Sequence, residues 1–173
     1  MTTIEAIVFD TIGSLAGGLA DVSLDAAPDA PLHAYDDAAP ALAELKSLGV
    51  TLLAVSTLPL PELTRFLTAS GLSEFFDDTR SSASTAGDST DALRDALAAL
   101  SIAPDRALYI TDTSDGLRAA RATGMHGILM MNDPDEAMKL TAHKPAGGIV
   151  SLLELPDFVR FVSAQAQSGA LGS

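Results

Sequence analysis

Short runs of apolar residues alternate along the chain with longer segments in which apolar residues recur every three or four positions. Runs of roughly four to eight apolar residues, often β-branched and bounded by Asp, Ser or Gly, are typical of buried strands. They predict strands over residues 4–9, 52–55, 107–110 and 127–131, with a further short strand within 75–82.

The segments with helical periodicity lie between these runs. They predict helices over residues 36–48, 61–70, 90–100, 115–122 and 133–140. Leucines at intervals of three or four residues mark an apolar face on the first and third of them, and glycines follow several helices. Because strands and helices alternate, the chain is predicted to be an α/β protein with a three-layer, Rossmann-like, doubly wound parallel sheet.

The length of 173 residues favours a single domain. We expect this domain over residues 1–162, with a last short strand or helix within 149–162 and a flexible tail over 163–173. Residues 16–34 are rich in Ala, Gly, Asp and Pro, and they predict an irregular connection that is too short to be a second domain.

Charge and composition narrow the classes of function. The chain has 10 basic and 23 acidic residues, a net charge of −13, 47% hydrophobic residues and no cysteine. The negative charge argues against binding to nucleic acid or to an anionic membrane surface. The lack of cysteine excludes disulfides, a thiolate zinc site and a cysteine nucleophile. Residues 1–9 have no basic stretch and are too few to cross a bilayer, so we expect a cytoplasmic protein.

Acidic and hydroxyl side chains follow three of the predicted strands. Asp10 ends the first, Ser56 and Thr57 end the second, and Asp112 follows a later strand with Asp115 three residues on. Ligands of α/β proteins bind where the carboxyl ends of the parallel strands meet. Carboxylates around Mg²⁺, with hydroxyl and backbone N–H groups for phosphate oxygens, suit phosphoryl transfer. The alternative is that the aspartates only cap the turns and helices that follow them.

The segments around these residues resemble motifs of the haloacid dehalogenase (HAD) superfamily of Mg²⁺-dependent phosphatases and related hydrolases. The similar segments are VFDTIGSL (8–15), LLAVST (52–57), GLSEFFD (71–77), LYITDTSD (108–115) and the closing stretch from GGI to ELP (147–156). Their order and spacing along the chain, rather than any one of them, indicate a HAD-like fold.

The resemblance implies a function for each strand-end residue. Asp10 would be the catalytic nucleophile, and Ser56 or Thr57 would bind the phosphate group. The implied Mg²⁺ ligands are Asp10, the backbone carbonyl of Ile12, Asp112 and Asp115.

The chain departs from the pattern of HAD phosphatases at several positions. Ile12 stands where they carry a general acid two residues after the nucleophile, and it cannot transfer a proton. The Lys expected near Gly87 is missing, and Thr111 stands in place of a Gly. Alignment on the following helix puts the second acidic metal ligand at Gly116, one residue after Asp115.

Two functions therefore stay open. The first is a capless, Mg²⁺-dependent phosphatase acting on a small phosphorylated molecule, because residues 16–34 are too short for a large cap domain. They also contain no Arg, which the helical cap of HAD dehalogenases needs for the halide. An open site of this kind would be closed by a large substrate or by a protein partner. The alternative is a catalytically inactive HAD-fold binding or regulatory protein, which Ile12 and the missing Lys favour.

A third interpretation of the strand-end aspartates is a phosphoacceptor receiver domain. Such a domain also carries aspartates at strand ends, but it needs a strand-end Lys that this chain lacks. Phe158 and Phe161 lie either on the core face of a helix or on a patch that joins two copies into a homo-oligomer.

Overall fold

The computed structural model describes residues 3–17, 32–85 and 88–170. Its strands are β1 (Ala6–Asp10), β2 (Thr51–Ser56), β3 (Asp78–Ser81), β4 (Ala107–Thr111), β5 (His126–Met130) and β6 (Gly147–Ile149). They form one sheet in the order β3-β2-β1-β4-β5-β6, and every neighbouring pair is parallel. The predicted α/β fold class with a doubly wound parallel sheet is confirmed.

Helices follow the strands and cover both faces of the sheet. They are α1 (Ala38–Ser47), α2 (Leu60–Ala69), α3 (Thr90–Ala99), α4 (Ser114–Thr123), α5 (Pro134–Leu140) and α6 (Glu154–Ala170). Helices α1, α2 and α6 pack on one face, and α3 and α4 pack on the other. The two central strands β1 and β4 are therefore almost wholly buried, which explains why their sequences are continuously apolar instead of alternating.

Side chains of β1 divide between the two layers according to the strand period of two. Ile7 and Phe9 contribute to the core under α1, α2 and α6, whereas Ala6 and Val8 contribute to the core under α3 and α4. By the same alternation, Asp10 falls on the α3–α4 face at the end of the strand. Asp10, the charged residue of β1, therefore lies at the edge of the apolar core under α3 and α4.

The C-terminal part of the chain ends in a longer helix than the sequence indicated. The segment 149–162 contains the last residue of β6, Ile149, and the start of α6 at Glu154, so it holds the helix that was one of the two predicted alternatives. Helix α6 continues through Ala170, so most of the stretch expected to be a flexible tail is helical. Phe158 packs against the core, while the side chain of Phe161 is 61% exposed.

Most of the predicted irregular connection lies outside the described residues, at positions 18–31. Where the chain is described on either side, Ala16 and Ala34 form an antiparallel bridge, so the connection leaves and returns at neighbouring points. Within the described residues, no helix has the length and apolar character needed to cross a bilayer.

Candidate active site at the ends of β1 and β4

The order of the strands reverses between β1 and β4. The connection after β1 leads to β2 on one side, while β4 and β5 extend the sheet on the other. Such a reversal opens a crevice at the carboxyl ends of the two strands, and this is where doubly wound α/β proteins bind their ligands. Asp10 is the last residue of β1, and Asp112 comes directly after β4.

Asp10 is a largely desolvated carboxylate that accepts a hydrogen bond from a neighbouring hydroxyl. Thr111 Oγ1 donates a hydrogen bond to Asp10 Oδ2 at 3.0 Å. Burial raises the pKa of Asp10 from 3.8 to about 7, because removing a carboxylate from water penalises its charged form. The hydrogen bond from Thr111 acts in the opposite direction, and the negative charge of Asp112 adds to the rise.

Two buried hydroxyls near Asp10 have no hydrogen-bond partner of normal geometry. They are those of Thr11, the next residue in the chain, and of Tyr109, which lies on β4 close enough to Asp10 and Ser89 to influence charge in the site. Burial raises the pKa of Tyr109 well above its usual range, so its hydroxyl keeps its proton. Buried hydroxyls without a partner are uncommon, and a ligand oxygen or an ordered water commonly satisfies them.

Asp112 rests against the turn that follows β1. Gly13 adopts a φ of +98°, and a Cβ atom there would lie 2.1 Å from Asp112 Oδ1. Only glycine combines this left-handed backbone with so close an approach. Asn132 Nδ2 donates to the Gly13 carbonyl at 2.7 Å and to Asp112 Oδ2 at 3.3 Å. Asn132 therefore fixes both the turn and the carboxylate.

Sequence reasoning missed Asn132, although a signal was present. Asn132 is the first strongly polar residue after the apolar run of β5, just as Asp10 and Asp112 follow β1 and β4. The rule that singled out the two aspartates would have included it, because β5 is the next strand of the sheet beyond β4.

Thr111 occupies the space in which the second acidic ligand is expected. A Cβ atom on Gly116 would lie 2.0 Å from Thr111 Oγ1 and 2.7 Å from Thr111 Cβ. The residues at positions 111 and 116 are therefore coupled, since Thr111 is compatible only with glycine at the start of α4. The Thr113 hydroxyl caps this helix by accepting a hydrogen bond from Gly116 N at 3.0 Å.

The structure does not bring Asp115 to Asp10 and Asp112. The side chain of Asp115 is 75% exposed and forms an ion pair with Arg118 on the next turn of α4. Among the described residues, no three Asp, Glu or His side chains are grouped as a metal site would require. The predicted acidic set is thus reduced to the pair Asp10 and Asp112.

Ser56 lies beside Asp10 in the sheet, and Thr57 lies outside it. Asp10 is in register with Val55, so Ser56 is one residue further along the neighbouring strand. Ser56 is fully buried, and its Oγ accepts a hydrogen bond from Leu58 N at 3.1 Å. Thr57 is exposed. Of the two predicted phosphate-binding residues, Ser56 is therefore the one that lies next to the end of β1, and its hydroxyl is buried.

The oxygen donors of the crevice fit a hard divalent cation. Burial and the charge of Asp112 both raise the pKa of Asp10, and a cation beside the two carboxylates would favour their charged forms. Mg²⁺ is commonly held by one or two carboxylates plus waters and substrate phosphates, so this pair is sufficient in kind and number. Gly87, where the missing Lys was expected, lies outside the described residues.

The coupling between positions 111 and 116 can be measured by mutation. Gly116→Ala should lower the free energy of unfolding by ~1–3 kcal/mol through overpacking, although alanine favours helix more than glycine does. Thr111→Gly in the same chain should recover part of this loss, which a double-mutant cycle in urea would report as a coupling energy. If the effects of the two substitutions are additive, the side chains at positions 111 and 116 are not coupled, and the prediction is wrong.

The parallel sheet and the polar residues at its switch point define a Rossmann-like α/β protein with a candidate active site at the ends of β1 and β4. A family model described as haloacid dehalogenase-like hydrolase matches residues 24–130, which is more than half of the chain. The chain belongs to this family. The matched range begins after Asp10, so it does not include the predicted nucleophile.

Solved structures agree with the fold at low sequence identity. A haloacid dehalogenase-like family hydrolase from Streptococcus pneumoniae superposes with a TM-score of 0.76 at 20% identity, covering 91% of this chain and 99% of the other. L-2-haloacid dehalogenase from Xanthobacter autotrophicus gives 0.74 at 18%, with coverage of 91% and 99%. The cobalt-bound deoxy-D-mannose-octulosonate 8-phosphate phosphatase from Haemophilus influenzae gives 0.71 at 15%, with 94% and 90%. A comparison with curated proteins found no match.

Proposed function

We propose that the chain carries out Mg²⁺-dependent phosphoryl transfer from a small phosphorylated molecule to Asp10. The observation that supports this most directly is the pairing of the desolvated Asp10 carboxylate with the neighbouring Asp112 at the switch point of the sheet. The pair supplies a nucleophile and a place for a cation within one crevice. Asp10, Asp112 and the backbone carbonyl of Ile12 would hold the Mg²⁺ ion, which would neutralise charge on the phosphate oxygens when bound.

The hydrogen bond from Thr111 distinguishes the two oxygens of Asp10. Thr111 holds Oδ2, which leaves Oδ1 as the oxygen assigned to attack the phosphorus atom. As the new Oδ1–phosphorus bond forms, the bond between phosphorus and the leaving-group oxygen breaks, and that oxygen takes the electron pair. We assign to Ser56, one residue beyond the register partner of Asp10, the hydroxyl that would contact a phosphate oxygen.

Ile12 determines which leaving groups are suitable. Its side chain can neither give a proton to the departing oxygen nor take one from water. Substrates should therefore be those whose leaving group is stable as an anion, such as acyl phosphates or aryl phosphates. The second step, attack of water on the phosphoaspartate, has no side-chain base, so the water loses its proton to solvent. We expect this step to be slow and the phosphorylated protein to accumulate.

Intact-mass spectrometry after incubation with acetyl phosphate and Mg²⁺ tests the proposal. The wild-type chain should gain one phosphoryl group, whereas Asp10→Asn and a sample containing EDTA should gain none. Asp115→Asn is a matched control, because Asp115 is exposed and paired with Arg118. It should be phosphorylated like the wild type. A folded wild-type chain that stays unmodified by acetyl phosphate, and also by an aryl phosphate, would contradict the proposal.

A second candidate function is that of a catalytically inactive binding or regulatory domain. The specific observation in its favour is the Thr111–Gly116 arrangement, which replaces an acidic ligand with a hydroxyl that occupies Asp10 Oδ2. In that case phosphate and Mg²⁺ would still stabilise the protein in a thermal-shift assay, with no adduct at Asp10. A protein partner would then close the crevice in place of a large substrate.

A further inference from the structure

The basic side chains of this acidic protein are distributed unevenly between paired and unpaired positions. Of the 10 Lys and Arg residues, seven form ion pairs with carboxylates in the described part of the chain. The three without a carboxylate partner there are Arg65, Arg121 and Lys144. Two of these three, Arg121 and Lys144, line the same recess.

The recess lies between the second half of α4, the start of β5 and the segment 143–146. Its volume is about 190 Å³. His126 and His143, two of the three histidines in the chain, also line it. The recess therefore combines two cationic side chains with two imidazoles, in a protein whose net charge is −13.

Backbone contacts hold the recess in shape. Arg121 donates a hydrogen bond to the His143 carbonyl, and Ala146 N donates to the Gly127 carbonyl at 2.8 Å. Lys144 adopts a left-handed backbone conformation with φ 51° and ψ 60°, which non-glycine residues rarely adopt. Residues held in such conformations are concentrated at functional sites.

A backbone carbonyl orients one of the two imidazoles. His126 Nε2 lies 3.0 Å from the Asp105 carbonyl oxygen, and a carbonyl can only accept, so Nε2 carries the hydrogen. The ring is thereby tied to the turn before β4 by main chain and not by the Asp105 carboxylate. Among the described residues, no carboxylate forms an ion pair with Arg121 or Lys144.

The recess is separate from the crevice around Asp10. Its β5 residues, His126 and Gly127, are at the beginning of that strand, whereas Asp10 lies where β1 ends, and the two strands are parallel. Helix α4 connects the two places, since Gly116 in its first turn contacts Thr111 and Arg121 in its last turn lines the recess. A ligand in the recess would not touch the Asp10 site.

We propose that this recess binds a small dianion with phosphate chemistry, either free inorganic phosphate or the phosphate group of a small compound. Two cations can neutralise a dianion, and Arg and Lys are the usual phosphate-binding side chains. The volume is below the roughly 300 Å³ at which pockets for larger ligands begin, so it suits a compact ion. The net charge of −13 disfavours anions in general, so a site for one depends on local cations such as these.

The three histidines provide a direct test by NMR. Imidazole Cε1–H signals are assigned with one His→Gln variant each and followed during titration with sodium phosphate, at constant ionic strength and in EDTA. The signals of His126 and His143 should shift with saturation, and that of His33, outside the recess, should not. Equal small drifts of all three signals would overturn the proposal. The Asp10→Asn chain should give the same titration, which separates this result from the function proposed for Asp10.

Charge variants show whether the cations bind the anion. Arg121→Gln/Lys144→Gln should weaken the phosphate affinity at least tenfold, and Lys144→Gln alone, at an exposed position, should weaken it measurably. Arg65→Gln/Lys139→Gln removes the same charge elsewhere and should change the affinity less than twofold. Equal losses in both double variants would show a general charge effect and contradict a site. Phenyl phosphate distinguishes the sources: binding as tight as that of inorganic phosphate indicates a phosphorylated compound, and exclusion indicates the free ion.

Discussion

Ile12→Asp is expected to convert slow phosphorylation of Asp10 into continuous turnover. A carboxyl group two residues after Asp10 can give a proton to the leaving group in the first step and take one from water in the second. General acid–base catalysis commonly contributes about 10²–10⁴-fold, and we expect a gain within this range. The measurement is steady-state release of phosphate from an alkyl phosphate, whose poor leaving group makes the acid indispensable. With an aryl phosphate the gain should be smaller.

Ile12→Asn is the matched control for that substitution. Asparagine has nearly the shape of aspartate but cannot exchange a proton, so this variant should hydrolyse alkyl phosphates no faster than the wild type. Ile12 is only partly exposed, so both variants must be shown by circular dichroism to be folded. If Ile12→Asp and Ile12→Asn behave alike, then proton transfer at this position is not what limits turnover. The missing cation near Gly87 would then be the next position to restore.

The fold was predictable because its strands are buried on both faces. Continuous apolar runs such as Ala6–Phe9 and Ala107–Ile110 are best explained as strands that are buried on both faces. Because helical segments separate these strands, the connections between them are crossovers, and crossovers join parallel strands. The end of the chain was less predictable. Strand β6 is only three residues long and starts with two glycines, so it has almost no apolar signal. Its position is set by its pairing with β5, which sequence periodicity does not contain.

The candidate site was predictable only in part. The strand-end rule identified Asp10 and Asp112, because main-chain topology alone brings the ends of β1 and β4 together. It could not decide about Asp115, since one residue along a helix rotates a side chain by roughly 100° and so decides whether it faces the crevice or the solvent. The contact of Thr111 with Gly116 was also hidden, because it depends on the close approach of two side-chain positions.

The altered residues around Asp10 form one connected set. Glycine at position 116 makes room for the Thr111 side chain, and the Thr111 hydroxyl in turn satisfies the buried carboxylate that lacks a second acidic neighbour. Asn132 holds Asp112 in place with a neutral amide, which adds no charge. The set therefore keeps a buried carboxylate hydrogen-bonded without cationic help from the described protein residues. Burial in this environment nevertheless penalises the charged form of Asp10 and raises its pKa.

Asp10→Asn is expected to stabilise the metal-free protein at pH 8 and to remove a pH dependence. Because folding raises the pKa of Asp10 from 3.8 to about 7, the folded chain binds a proton that the unfolded chain has released. Wild-type stability should thus fall by about 1.4 kcal/mol per pH unit across this window, up to about 4 kcal/mol in all, and level off above pH 7. Urea unfolding in EDTA between pH 5 and 8 measures the difference from Asp10→Asn. Asp115→Asn, at an exposed carboxylate, should keep the wild-type slope. Parallel curves for the wild type and Asp10→Asn would mean that Asp10 is solvated as an ordinary carboxylate, and the proposed site would lose the desolvated nucleophile on which it is based.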